Sequence, residues 1–249
     1  MAESILVDLA PSVRRHPWWN ARSQLVIALL NRLNVDSSSR ICDVGCGWGV
    51  TLEALESRGY HVTGMDVSPR ALQRLDRPGR DLILADLARP VPPDADPFDA
   101  ALALDVIEHI DNDREAVHRL GEMVGPGGWV IVSVPARPDL WTEFDEVQGH
   151  RRRYLPETLS AAFAGSKLTL HRVFWWGQWL VKAIRFQRAR PKRASETDTT
   201  TDIYKRYLSL PAWPGPLALR MAFALERDRA IDGKLRTGTS LFAVARRAD

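Results

Sequence analysis

From about residue 12 to residue 134 the chain alternates between two patterns. Short, nearly unbroken apolar runs give way to stretches in which apolar residues return every three or four positions. Leu25, Val26, Leu29, Leu30 and Leu33 recur at helical spacing and predict a helix over 12–34. Ile41, Cys42 and Val44 form the first apolar run, and further strands are predicted at 60–65, 81–85, 98–104 and 129–134. Helices are predicted after the first, second and fourth of these, the second opening on Ser68-Pro69, a capping hydroxyl followed by proline. Residues 89–97 read as a proline-rich surface loop, and Gly125-Pro126-Gly127-Gly128 as a turn before the fifth strand.

Two more strands are predicted at 168–174 and 240–245, with helical stretches near 178–190, 202–210 and 216–229 between them. That connection is too long for a hairpin and predicts a helical cap over about 176–237. Strands that are apolar throughout, alternating with helices, require a mostly parallel sheet covered on both faces. The expectation is one α/β domain over 1–249, Rossmann-like and doubly wound, a mostly parallel seven-stranded sheet with an antiparallel C-terminal strand and ligands at the strands' carboxyl ends.

Charge alters this picture. Residues 1–149 hold 14 Lys/Arg against 23 Asp/Glu, whereas residues 150–249 hold 20 against 8, a net +12. An anionic or lipid-linked partner on the C-terminal side would explain the asymmetry. The basic residues carry no recognised RNA-binding pattern, so nucleic acid is disfavoured. Residues 4–10 are too short and acidic for a signal peptide, and no apolar run reaches the length of a membrane span. Cys42 and Cys46 are the only cysteines, and make neither a disulfide framework nor a zinc site. A cytoplasmic protein is expected.

The candidate chemistry begins where the first strand ends, at Asp43-Val44-Gly45-Cys46-Gly47-Trp48-Gly49. Glycines at alternate positions let the backbone bend and approach a ligand closely. The turn presents N–H groups at the start of the next helix. Asp43 would repel a phosphate there, but suits a ligand bearing an ammonium group and hydroxyls, such as S-adenosylmethionine (SAM). A nicotinamide site would need a Gly-x-Gly-x-x-Gly spacing that is absent.

With Val62-Thr63-Gly64-Met65-Asp66-Val67-Ser68 and the Gly125–Gly128 turn, this element resembles the class I SAM-dependent methyltransferases, and most nearly the ubiquinone-type O-methyltransferases and their relatives. The resemblance implies that Gly45, Cys46 and Gly47 pass along the methionine part of SAM, with Asp43 near its amino group. Asp66, followed by Val67, would accept the ribose hydroxyls. Asp86 would meet the adenine amino group and Leu87 pack beside the ring. The Leu104 backbone would face the methionine moiety, and Arg22, in His16-Pro17-Trp18-Trp19-Asn20-Ala21-Arg22, would pair with its carboxylate. Trp18 and Trp19 are read as packing.

Asp105-Val106-Ile107-Glu108-His109 resembles an element that binds a divalent metal in some relatives. Here capping of the following helix is the preferred role for Glu108, and a metal is not favoured. His109 and His150 are the candidate catalytic residues, His150 as a base. Arg151, Arg152 and Arg153 would hold an anionic substrate or pair with Asp139, Glu143 and Asp145. In 175–193, Trp176, Trp179, Leu180 and Ile184 share a face opposite Lys182, Arg185 and Arg188. A lid docked on the core is preferred over contact with an anionic membrane surface. The expected function is methyl transfer from SAM to oxygen, less readily nitrogen, of a small molecule. The alternatives are an RNA-modifying enzyme and a catalytically silent SAM-binding module.

Overall fold

A computed structural model describes residues 9–90, 96–189, 199–209 and 215–248. Most of the 4–10 segment, the middle of the 89–97 loop, and Arg190, Lys192 and Arg193 lie outside them. Seven strands form one sheet in the order β3-β2-β1-β4-β5-β7-β6. These are β1 (Arg40–Val44), β2 (His61–Asp66), β3 (Asp81–Leu84), β4 (Phe98–Leu104), β5 (Val124–Pro135), β6 (Leu168–Trp176) and β7 (Ser240–Arg247). The first five run parallel, and β7 inserts antiparallel between β5 and β6.

Successive strand residues serve opposite faces, as the pleat demands. Ile41, Leu102 and Ile131 join one apolar cluster with Leu25 and Leu29. Cys42, Ala101 and Val130 join the other with Val117, Leu120 and Leu159. Helices α1 (Ala10–Arg15), α2 (Pro17–Arg32), α3 (Val50–Glu56) and α4 (Pro69–Leu75) come first, followed by α5 (Asp113–Met123), α6 (Glu143–Gln148) and α7 (Pro156–Ala162). Between β6 and β7 lie α8 (Leu180–Ala189), α9 (Thr200–Leu208) and α10 (Gly215–Ile231). No described helix is long and apolar enough to cross a membrane.

Two expectations need correction. The helix expected over 12–34 is broken at His16, whose extended backbone and Nδ1, accepting the Trp18 N–H at 3.2 Å, cap α2 with Pro17 at its first position. The Gly125–Gly128 segment is not a turn ahead of the strand but an irregularity inside β5, where the register with β4 shifts between Phe98 and Ala100.

The described part of 175–189 packs against the sheet and α10. Trp176 and Val181 are buried, and Trp179 and Leu180 pack on the first cluster. Trp179 meets Phe223 of α10 edge-on at 4.9 Å.

Candidate active site

The glycine turn is tied to β2. The Gly45 and Cys46 N–H groups donate to the Met65 carbonyl at 2.7 and 3.0 Å, and the Gly47 N–H donates to Asp66 Oδ2 at 2.8 Å. Asp66 Oδ1 accepts the Ser68 N–H at 2.9 Å, which holds the carboxyl at the strand end. Gly45 has φ +70°, and a Cβ there would lie 2.6 Å from Val106 Cγ2. Glycine is thus required both by the backbone and by the next strand's loop. Cys42 and Cys46 are buried thiols that form no disulfide with each other.

Asp43 is buried beside Arg22 and Asp66. Burial pushes its carboxyl up to about 7, against the pull of Arg22 and with a further push from Asp66. Arg22 is a buried residue of α2, with its guanidinium 4.9 Å above the Trp18 ring. It ion-pairs with Asp105 and reaches the Leu104 carbonyl at 3.4 Å, while its Nε is buried without a partner. Asp105 holds a left-handed backbone (φ +58°), and its Oδ1 accepts from Ser133 Oγ at 3.3 Å.

Asp86 ends β3 in a turn, accepting the Ala88 N–H at 2.8 Å. Leu87 is buried in the second cluster. The apolar surface shown at these strand ends comes from Val67, 64% exposed, and Leu84, 60% exposed. Leu84 escaped the sequence reading. Above the glycine turn, Trp48 packs between Trp19 and Tyr204 of α9, with ring centroids 5.9 and 6.2 Å away. Tyr204 is buried and donates to Gln148 Oε1 at 3.1 Å, so α6 and α9 close over the turn.

Beyond Asp105 the chain forms a short 3₁₀ turn, Ile107–His109, onto which the loop after α6 is stitched. The Arg151 N–H donates to the Glu108 carbonyl at 2.9 Å, and Arg151 Nε to the His109 carbonyl at 2.8 Å. Glu108 is fully buried, and neither carboxylate oxygen has a hydrogen-bond partner. It does not cap the following helix, because Asn112 Oδ1 accepts the Glu115 N–H there. Burial, and then the nearby Asp105, push its carboxyl well above the usual range.

The His109 ring lies 4.9 Å from that of His150. Burial, then His150, lower its pKa to about 4. His109 Nδ1 contacts the Gly149 carbonyl at 3.2 Å, and His150 Nδ1 contacts Asp145 Oδ1 at 2.9 Å. A carbonyl and a carboxylate only accept, so each ring donates from Nδ1 in these contacts. His150 Nε2 is buried, has no hydrogen-bond partner and lies 3.9 Å from Glu108 Oε1. One ligand atom from each of Glu108, His109 and His150 falls within 4.8 Å of the others.

Asp145 is held from several sides. Arg153 Nε and Nη2 donate to it at 2.7 and 3.0 Å, and the Thr142 N–H at 2.8 Å. Burial pushes its carboxyl up, but His150 and Arg153 outweigh this and bring it to about 2. The other arginines are also paired, Arg151 with Asp111 at 2.6 Å and Arg152 with Asp113 at 3.0 Å. Of the acids expected to meet this run, only Asp145 does so. Asp139 faces Arg137 and Arg185, and Glu143 lies 3.7 Å from Arg206.

The profile of the methyltransferase-domain family matches residues 18–183. The chain belongs to that family. Its fold is that of the class I SAM-dependent methyltransferases. Ubiquinone biosynthesis O-methyltransferase from Dechloromonas aromatica (strain RCB) is 30% identical over 138 residues, 47% of this chain and 57% of that protein. The same-named enzyme of Alkalilimnicola ehrlichii (strain ATCC BAA-1101 / DSM 17681 / MLHE-1) is 33% identical over 135 residues, 47% of this chain and 53% of that protein. The match thus spans little more than half the length of these relatives. A SAM-bound amino pentose methyltransferase of calicheamicin biosynthesis from Micromonospora echinaspora shares the fold at TM-score 0.56 and 18% identity, covering 92% of each chain. The N-methyltransferase NodS from Bradyrhizobium japonicum WM9, with S-adenosylhomocysteine, gives 0.52 and 16%, covering 92% of this chain and 87% of its own.

Proposed function

We propose that the chain transfers the SAM methyl group to a hydroxyl oxygen of a small, lipid-linked acceptor bound beside Glu108, His109 and His150. One observation carries this reading: one ligand atom from each of Glu108, His109 and His150 lies within 4.8 Å of the others, and neither Glu108 oxygen nor His150 Nε2 has a hydrogen-bond partner. An amine reacts as the free base, whereas a hydroxyl nucleophile gains most from losing its proton. A site with two imidazoles placed to take up a proton therefore suits oxygen.

On the donor side, Asp66 would accept the ribose hydroxyls and Asp43 the methionine ammonium. Gly45, Cys46 and Gly47 would line that part of the ligand, with the Leu104 backbone opposite and Arg22 Nε free for its carboxylate. Asp86 remains the partner for the adenine amino group, with Val67 and Leu84, rather than the buried Leu87, as apolar cover. Transfer is an in-line displacement in which the acceptor oxygen bonds the methyl carbon as the C–S bond breaks. The protein's part is to align the two reactants and exclude water. Closure of α6 and α9 over Trp48 supports that role.

The same three side chains fit a divalent cation, because without one both oxygens of the buried Glu108 carboxyl are left without a partner. Two imidazoles and a carboxylate are a common donor set, and Asp145 would fix His150 from behind. Such a cation supplies Lewis acidity that lowers the pKa of a hydroxyl. A second reading rests on the Asp145–His150 contact, which would also make His150 Nε2 a base without metal. The test is transfer of tritiated methyl from SAM into a metabolite extract, with and without chelator. Label in a low-mass acceptor, lost with chelator, supports the first reading. Retention with chelator favours the base, and label confined to RNA overturns both.

A further inference from the structure

The face of α10 that points away from the sheet is apolar. Leu217, Met221 and Leu225 are 51%, 58% and 76% exposed and lie one turn apart, with Ala218 and Ala224 exposed beside them. Among the described residues, the other exposed large hydrophobics are Val67, Leu84 and Leu155, so this is the one helix that carries three.

Arginines border the stripe. On one side Arg220 and Arg227 line a groove of about 340 Å³ between α10 and α2, together with Asn20, Gln24 and Phe223 and with no carboxylate. On the other side stands the exposed Arg229. The acid on this part of the helix, Asp228, contacts Arg32 at 3.3 Å and Arg227 at 3.4 Å.

We propose that this face of α10, with the Arg220–Arg227 groove, docks on an anionic phospholipid bilayer. An apolar arc with arginines along both edges suits a helix lying in the plane of the headgroups. Leucine and methionine reach the acyl boundary, and each guanidinium extends back to a phosphate. The groove offers Arg220, Arg227, which Asp228 shares, and two amides, a set that complements a phosphodiester. The +12 charge of residues 150–249 adds a general attraction to an anionic surface. The contact is thereby moved from the expected 175–193 segment, whose described tryptophans pack on the core, to α10. Helix α2 borders the groove with Asn20 and Gln24 and carries the buried Arg22 at the active site, so the bilayer would lie one helix away from the reacting groups.

The test is co-sedimentation of the full chain with phosphatidylglycerol–phosphatidylcholine vesicles, and with phosphatidylcholine alone. It does not depend on methyl transfer. The wild type is expected to bind the anionic vesicles, less tightly as salt rises, and the neutral ones much more weakly. The triple variant Leu217→Glu, Met221→Glu, Leu225→Glu is expected to lose at least about a hundredfold in binding. Arg220→Ala with Arg227→Ala is expected to lose about 25-fold, or roughly fivefold per cation. Unchanged thermal unfolding shows that the variants fold. No binding by the folded wild type overturns the proposal, as does equal binding by the triple variant. A dimer that the triple variant dissociates, without vesicle binding, assigns the face to a second copy and also overturns it.

Discussion

The imidazole of His150 is clamped by Asp145, whose Oδ1 lies 2.9 Å from His150 Nδ1. The same carboxylate receives both donors of Arg153, so a single buried acid fixes the ring and neutralises a guanidinium. Asp145→Asn leaves a buried Arg153 without its counter-charge, and should cost about 3–5 kcal/mol of stability. A urea midpoint equal to the wild type would contradict the clamp.

The clamp also sets an acid limit. The folded Asp145 carboxyl is held at about 2, below the unfolded value of about 4. A depressed carboxyl stabilises the fold above the unfolded pKa, and that contribution disappears as pH falls through the folded one. About 2–3 kcal/mol should vanish between roughly pH 4 and pH 2, and the loss should be absent in Asp145→Asn. Equilibrium unfolding across this range reads the difference.

If Asp43 meets the SAM ammonium as proposed, SAM binding depends on pH. Its carboxyl sits near 7 because burial disfavours the charge, and a bound ammonium would favour it. SAM affinity, measured by calorimetry, should weaken by up to about tenfold per pH unit below the pKa. Asp43→Asn should bind weakly and without that slope. A wild-type affinity flat from neutrality downwards would place the ammonium elsewhere.

Glu108 separates stability from function. Its raised carboxyl pKa means that, without a cation, the associated stability is complete below the unfolded value of about 4.3 and is lost as pH rises through the folded one. At neutral pH a divalent cation should therefore raise the melting temperature, and chelator should reverse the gain. Glu108→Gln should abolish the cation effect and methyl transfer while leaving the chelated protein as stable as the wild type, or more so. A cation effect that persists in Glu108→Gln would count against the Glu108, His109 and His150 set.

Gly45 and Val106 form a coupled pair. Gly45→Ala meets both the positive φ and the 2.6 Å approach to Val106 Cγ2, and should cost about 1–3 kcal/mol. Val106→Ala opens the space but leaves φ unchanged, so the double variant should recover part of the loss. A double-mutant cycle on thermal unfolding measures this coupling. Strict additivity would mean that the methyl contact plays no part.

The strands along the chain and the glycine turn were legible because apolar runs, a glycine pair and the strand-end acids Asp66 and Asp86 each leave a local pattern. The break at His16 was legible in principle, since Pro17 fixes a helix start, but the unbroken periodicity around it prevailed. Glu108 was misread because a cap and a buried ligand use the same side chain, and only the fold shows that Asn112 takes the capping role. The work of Asp145 depends on a loop folding back onto the Ile107–His109 turn, which no local spacing encodes. For α10, a helix with apolar residues all round gives no indication of which side the core will use. Leu84 and Leu87 show the same ambiguity on a smaller scale, three residues apart and exchanged in burial.

Carbon-13 NMR with SAM labelled at the transferred methyl tests the central claim most directly. Incubation with metabolite extract should move the label from the sulfonium resonance to a methoxy resonance on a low-mass product, and Asp66→Ala should leave it on sulfur. A new resonance in the N-methyl region, or label that stays on sulfur with the wild-type protein, would contradict the account.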